Sequence, residues 1–266
     1  MKRLVSLAAL LLFVTGCAAT APASPGGVSS DPSKLVGVWR VSDAAGAGAD
    51  TWLRLADDVM VWSDCGVSSG SWTARGSALL VDIYSQSDDS CLLGRVFDPT
   101  PWLSQATGYR ETNTGMALLD SGGSVVANLT IDGAPPTSEQ YLDEYTEQPT
   151  ETVEFEKPAH LPEGVTAPKD IVGRWIDPAH PADGTFIEFA GDGTYEGSDG
   201  CNGVSGRYSY APDGSLLATQ GLTTLMGCEG SAIADLASTS PLVGVAGEGL
   251  AFYSAAGDVA ITVVRD

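Results

Sequence analysis

The chain has 266 residues, five cysteines, two histidines, 43% hydrophobic residues and a net charge of -21 at pH 7, with a sequence pI near 4.1. That charge repels phosphate backbones and anionic headgroups, because nucleic-acid affinity comes from lysine and arginine replacing counterions, so nucleic acid is set aside as a partner. Beyond the first residues no apolar run approaches the roughly 20 residues that span a bilayer, and the length suits one large domain or two small ones.

Lys2 and Arg3 precede an apolar stretch from Leu4 to Val14 and small residues before Cys17, the pattern of a signal peptide over residues 1–17. Val14-Thr15-Gly16-Cys17 resembles the bacterial lipobox. That resemblance implies that the Cys17 thiol takes a diacylglycerol, with palmitate among the acyl chains, and becomes the mature N-terminus. Its sulfur is the strong nucleophile of this segment. The alternative is an ordinary signal peptide cut near Ala18 to Ala21. Residues 18–33, rich in Ala, Pro, Gly and Ser, read as a flexible tether. The expected location is therefore the cell envelope, exported and lipid-anchored.

Residues 33–132 read as a first domain of short strands. Trp52-Leu53-Arg54-Leu55 alternates like a half-buried strand, and Leu118 to Leu129, broken by Ser121-Gly122-Gly123, reads as a hairpin. Thr100 is placed to cap a short helix with Pro101 at its first position and Trp102, Leu103 and Ala106 facing the core. Trp52, Trp62 and Trp72 fall in successive strands, either as core or as an aromatic patch for a partner or glycan. Residues 133–169, with Pro135, Pro136, Pro149, Pro158, Pro162 and Pro168 and many acids, read as an extended linker. Tyr141, Tyr145 and Phe155 mark places where it can dock. Residues 170–266 form a second domain, with Phe186 to Phe189 as a strand, a turn at Pro212-Asp213-Gly214, a short helix over Ser231 to Ala237, and a hairpin over Ala251 to Val264. The fold class is mainly β: two compact antiparallel sheet or barrel-like domains, each with about one short helix.

The two halves repeat. Trp39 and Trp175, Cys65 and Cys201, Gly70 and Gly206, and Trp72 and Tyr208 all lie 136 positions apart, Cys91 and Cys228 lie 137 apart, and Gly115 and Gly249 lie 134 apart. Such agreement in order and chemistry indicates duplication. It pairs Cys65 with Cys91 and Cys201 with Cys228, so that each copy folds alone, and export permits the bonds. Each would stabilise its domain by roughly 3 kcal/mol in the chain-entropy model. Zinc or redox use of these cysteines finds no CxxC spacing, and the two histidines, His160 and His180, fall in the linker and a loop. No metal and no cofactor is expected.

In the second copy, Gly173 and Trp175, Phe186 to Phe189, Gly200-Cys201-Asn202 followed by Gly206 and Tyr208, and Thr224, Met226 and Cys228 together resemble the META domain, also called HslJ-like. The first copy resembles it through the repeat. It departs at Asp64-Cys65-Gly66, in place of Gly-Cys-Asn, and at Ser87 and Asp89, where threonine and methionine would stand. The resemblance implies a compact antiparallel β-domain of bacterial envelope lipoproteins, in some members tied to heat or antibiotic stress, and implies no reaction.

Chemistry is sparse in the sequence. A hydrolytic triad needs a base held beside its nucleophile, and neither histidine lies in a rigid segment. Asp57 with Asp58, Asp88 with Asp89, and Asp192 with Asp199 are carboxylate pairs that could serve as acid and base or bind calcium, or simply be solvated turn residues. Asn202 could face a ligand or cap a turn. The leading expectation is a non-enzymatic envelope lipoprotein that binds another envelope component, with the membrane and a possible envelope protein as partners. A secreted inhibitor of a hydrolase and a carboxylate-based hydrolase are the alternatives.

Overall fold

A computed structural model describes residues 31–64, 66–87, 100–137, 143–180, 184–224, 226 and 231–266. The signal peptide, Cys17, nearly all of the tether, Cys65, Cys91, Cys228, Asp88, Asp89 and Tyr141 lie outside the described residues. The first eight strands are β1 (Gly37–Ser42), β2 (Trp52–Leu55), β3 (Val59–Ser63), β4 (Gly66–Arg75), β5 (Ala78–Gln86), β6 (Gly108–Glu111), β7 (Gly115–Leu119) and β8 (Val125–Thr130). Each pairs with the next, and β1 pairs antiparallel with β8, so the sheet closes into a barrel. A closed sheet leaves no strand edge exposed.

The second sheet comprises β9 (Gly173–Ile176), β10 (Phe186–Phe189), β11 (Thr194–Ser198), β12 (Gly203–Tyr210), β13 (Leu216–Ala218), β14 (Leu242–Ala246), β15 (Gly249–Tyr253) and β16 (Val259–Arg265). Its strand order repeats that of the first, with β9 pairing β16 as β1 pairs β8. The two ends of this sheet meet at a bridge between Ser215 and Leu242, flanked by Leu216 N donating to Pro241 O at 2.8 Å and Val243 N to Gly214 O at 2.8 Å. The first barrel has its thinnest seam at the same place in the order. There β5 and β6 share one residue pair, Ala78 with Gly108, flanked by Leu79 N to Thr107 O and Tyr109 N to Ser77 O, both 3.1 Å.

The likeness extends to side chains. Trp39 Nε1 donates to Leu35 O at 2.8 Å and Trp175 Nε1 to Ile171 O at 2.8 Å, both buried. Trp72 Nε1 donates to Ala56 O and Tyr208 Oη to Ala190 O, both at 2.7 Å. Tryptophan and tyrosine thus perform one task at one position.

Inward residues of alternating strands fill each interior: Leu53, Leu55, Val59, Val61, Leu79 and Leu118 in the first, Ile187, Phe189, Tyr195, Val243, Leu250 and Phe252 in the second. A short helix packs on each. In α1 (Pro101–Gln105) Trp102 and Leu103 are buried, as is Ala106 after it. The chain turns at Thr100 through backbone bonds from Leu103 N and Ser104 N to Thr100 O. In the second barrel a 3-10 turn over Ala232–Asp235 leads into α3 (Leu236–Thr239), burying Ile233 and Leu236, with the Ser231 hydroxyl accepting from Ile233 N at 3.3 Å. Both expected hairpins form, β7 with β8 and β15 with β16. The Pro212–Gly214 turn forms as well, closed by Ala211 N to Ser215 O at 2.9 Å.

The segment read as an extended linker lies along both barrels. Its short helix α2 (Asp143–Thr146) brings Tyr145 onto an outer cluster of Val38, Trp52, Met60, Trp62 and Val67. Gln148 then bonds Val38 from both sides, Val38 N donating to Oε1 at 3.0 Å and Nε2 to Val38 O at 2.8 Å. This overturns the half-buried reading of β2. All four of its residues are buried, Arg54 included, because Tyr145 covers the outward face and Arg54 lies against its ring at 5.6 Å. Trp52 and Trp62 are therefore buried rather than an open patch. Further along, Phe155 meets Trp72 edge-on at 5.3 Å. Glu156 pairs with Arg75, Leu161 and Val165 pack on the outer face of the second barrel, and Tyr210 Oη donates to Pro168 O at 2.6 Å.

Candidate functional site

The Gly200-Cys201-Asn202 turn joins β11 to β12, and its polar groups are largely spent on the chain itself. Asp199 Oδ1 accepts from Cys201 N at 2.7 Å and Asn202 N at 2.5 Å, while Asn202 Nδ2 donates to Asp199 Oδ2 at 3.0 Å. These bonds, those from Asn202 first, hold the Asp199 carboxyl below its ordinary range. The same Nδ2 donates to Met226 O at 3.0 Å, and Asn202 Oδ1 accepts from Met226 N at 2.7 Å. One amide thus imitates a strand partner and ties the segment before Cys228 to the turn. Thr224 Oγ1 adds a third tie, accepting from Gly203 N at 3.3 Å. The motif is a clasp. Cys201 is disulfide-bonded, and every other cysteine falls outside the described residues.

The first barrel keeps one of these ties although serine replaces threonine there. Ser87 stands where Thr224 stands, and Ser87 Oγ accepts from Val67 N at 2.9 Å, the counterpart of the bond to Gly203. The hydroxyl is what that position requires. Ser87 departs from the pattern in identity and conserves the acceptor.

The other candidates do not converge. Asp57 and Asp58 both face Arg54, Asp57 at 3.7 Å and Asp58 in direct contact. Burial outweighs Arg54 and pushes the Asp58 carboxyl up. Asp192 caps its own turn, accepting from Thr194 N at 3.1 Å and Thr194 Oγ1 at 2.7 Å. His180 ends a turn that begins at Asp177. Among the described residues no group of three His, Cys, Asp or Glu could hold a metal ion, and no helix is long and apolar enough to cross a membrane.

What the sequence did not reveal is a crevice between the barrels. They meet where β4 and β5 face β12 and β13. Arg75 Nη1 donates across to Leu216 O at 2.9 Å, and Arg207 Nη1 donates back to Ser104 O at 2.8 Å and Val81 O at 3.4 Å. Beside these crossings lies a cleft of about 460 Å³, walled by Asp82 and Tyr84 from β5 and by Glu188, Thr194, Glu196, Ser205 and Arg207 from the second barrel, with Leu222 at its lip. Burial pushes the Asp82 carboxyl up, the Arg207 charge countering it in part. A neighbouring polar groove of about 540 Å³ runs from Trp72 and Thr73 past Asn202 and Thr224 to Asp235 and Thr239. The signal that could have pointed here is Asp82 and Tyr84 two apart on one strand, hence on one outward face.

Residues 169–244 match the family model of the META domain. The matched stretch is similar to that family over 76 of the 266 residues. The match takes in β9 to β13, the clasp and the short helix, and ends within β14. No curated protein and no solved structure matches the chain.

Proposed function

We propose that the chain is an exported, lipid-anchored binding protein of the cell envelope, in which a META barrel and a diverged copy of it share a ligand crevice between them. The crevice carries this reading: both barrels wall it, and two of its carboxylates, Asp82 and Glu196, have no ion pair among the described residues, whereas the polar groups of the clasp are bonded to one another. Clefts at domain boundaries are a usual place for small ligands. The equal strand order, the matched seams and the paired bonds of Trp39 with Trp175 and Trp72 with Tyr208 support duplication as tandem META-like domains. Cys201 being disulfide-bonded supports pairing with Cys228, which follows the clasp by two residues, and Cys65 with Cys91 by symmetry. The anchor at Cys17 rests on the lipobox resemblance, and a role under envelope stress on the family's associations.

A carboxylate-based hydrolase is the second reading, favoured by Asp82 and Glu196 on the walls of one cleft. One experiment separates the two. The full chain carrying Cys17→Ser, expected to leave the membrane fraction, is immobilised and exposed to a detergent extract of envelopes, with Leu222→Arg as the blocked control. A stoichiometric component held by the open cleft and lost on blocking supports binding. Release of a cleaved glycan or ester, abolished by Asp82→Asn, would replace binding with hydrolysis.

A further inference from the structure

Resting on the binding reading above, we propose that the crevice takes an organic cation: one or more primary ammonium groups carried on an apolar stem. Register places Arg174, Glu188, Glu196 and Ser205 side by side across β9 to β12. Glu188 is neutralised by Arg174 at 3.3 Å, and Arg174 is shared with Asp266 at 3.1 Å. Glu196, directly opposite Glu188, has no ion pair among the described residues, and like charges facing across a sheet are destabilising.

On the facing wall Asp82 is half-buried, again with no ion pair or hydrogen bond among the described residues. The nearby cation, Arg207, turns its Nη1 to the carbonyls of Ser104 and Val81. A partly desolvated carboxylate costs free energy until a cation meets it. Asp82 is such a group, and the exposed Glu196 adds a second carboxylate without an ion pair among the described residues to the same cavity, so a bound cation would offset both the burial of the one and the repulsion at the other.

The lip selects the rest of the ligand. Tyr84 is 41% and Leu222 59% exposed, giving an aromatic face suited to ammonium and an apolar surface suited to methylenes. The volume lies within the small-ligand range. A bare metal ion is a poor fit, since no metal-holding group of three His, Cys, Asp or Glu occurs among the described residues. The chemistry is shared by a free polyamine and by the lysine side chains of a peptide.

The test is calorimetric titration of the full chain carrying Cys17→Ser with spermine in one arm and acetylated pentalysine amide in the other. At least one probe is expected to bind saturably at one per chain. Asp82→Asn and Glu196→Gln should each weaken it about tenfold, whereas Glu163→Gln, an exposed acid outside the cleft, should leave it unchanged. Tighter binding of spermine assigns a free polyamine, and tighter binding of the peptide assigns lysine side chains. No binding of either probe, or equal loss with Glu163→Gln, overturns the proposal. If cations fail yet Leu222→Arg still abolishes envelope capture, the cation is wrong and the binding reading stands. If capture fails too, both fall.

Discussion

Asn202 grips Met226 by both ends of its amide, donating from Nδ2 to Met226 O at 3.0 Å and accepting from Met226 N at Oδ1 at 2.7 Å. Asn202→Ala removes both bonds and the tie to Asp199, and at about 1 kcal/mol per bond should destabilise the chain by about 1–3 kcal/mol. Asn202→Asp keeps an acceptor but loses the donor and sets a second carboxylate beside Asp199, so it should be no better. Denaturant midpoints check both. Unchanged midpoints would mean that the clasp contributes nothing.

The Ser87 and Thr224 hydroxyls accept equivalent bonds from Val67 N and Gly203 N. Ser87→Thr should be nearly neutral, whereas Ser87→Ala and Thr224→Val should each cost about 1 kcal/mol. A loss with Ser87→Thr equal to that with Ser87→Ala would show that the two positions are not counterparts.

Gly115 and Gly249 sit where an added Cβ would lie 2.0 Å from Leu129 O and 2.1 Å from Val263 O. Strand β8 or β16 must then part from its neighbour. Gly115→Ala and Gly249→Ala should each cost about 2–4 kcal/mol, seen as lower melting temperatures of similar size. A large effect at one glycine and none at the other would argue against a shared scaffold.

Burial pushes the Tyr210 phenol up to about 12, and raises Tyr109, Tyr195 and Tyr208 in the same direction. Unfolded tyrosines ionise near 10, so above that pH the folded chain binds more protons than the unfolded one. The stability these phenols contribute is complete below about pH 10 and is lost as pH rises towards 12. Urea midpoints should fall across that window, and Tyr210→Phe should flatten the fall. A midpoint level from pH 9 to 11.5 would contradict the burial of these rings.

The strands, hairpins and short helices were legible because each is a local pattern: alternation at Phe186 to Phe189, glycine turns at Ser121 to Gly123, proline at position 101. The repeat was legible because glycines and cysteines with fixed backbone duties keep their spacing. Burial of Arg54 was not, since it depends on Tyr145 docking on that particular strand, and a linker's composition marks an aromatic that can dock without saying where. The equivalence of Ser87 and Thr224 emerges only from the structure, because the position requires a hydroxyl and either residue supplies one. The crevice escaped notice because Asp82 and Glu196 are ordinary outward residues of their own barrels, and docking alone makes them face one cavity.

Ligand is expected between the barrels and not at the Gly200-Cys201-Asn202 clasp. Hydrogen–deuterium exchange on the Cys17→Ser chain, before and after loading from an envelope extract, tests it most directly. Added protection is expected at residues 82–84, 194–196, 205–207 and 222, with the clasp at 199–203 and 226 equally protected in both states. Protection gained at the clasp alone, with the crevice unchanged, would contradict the account.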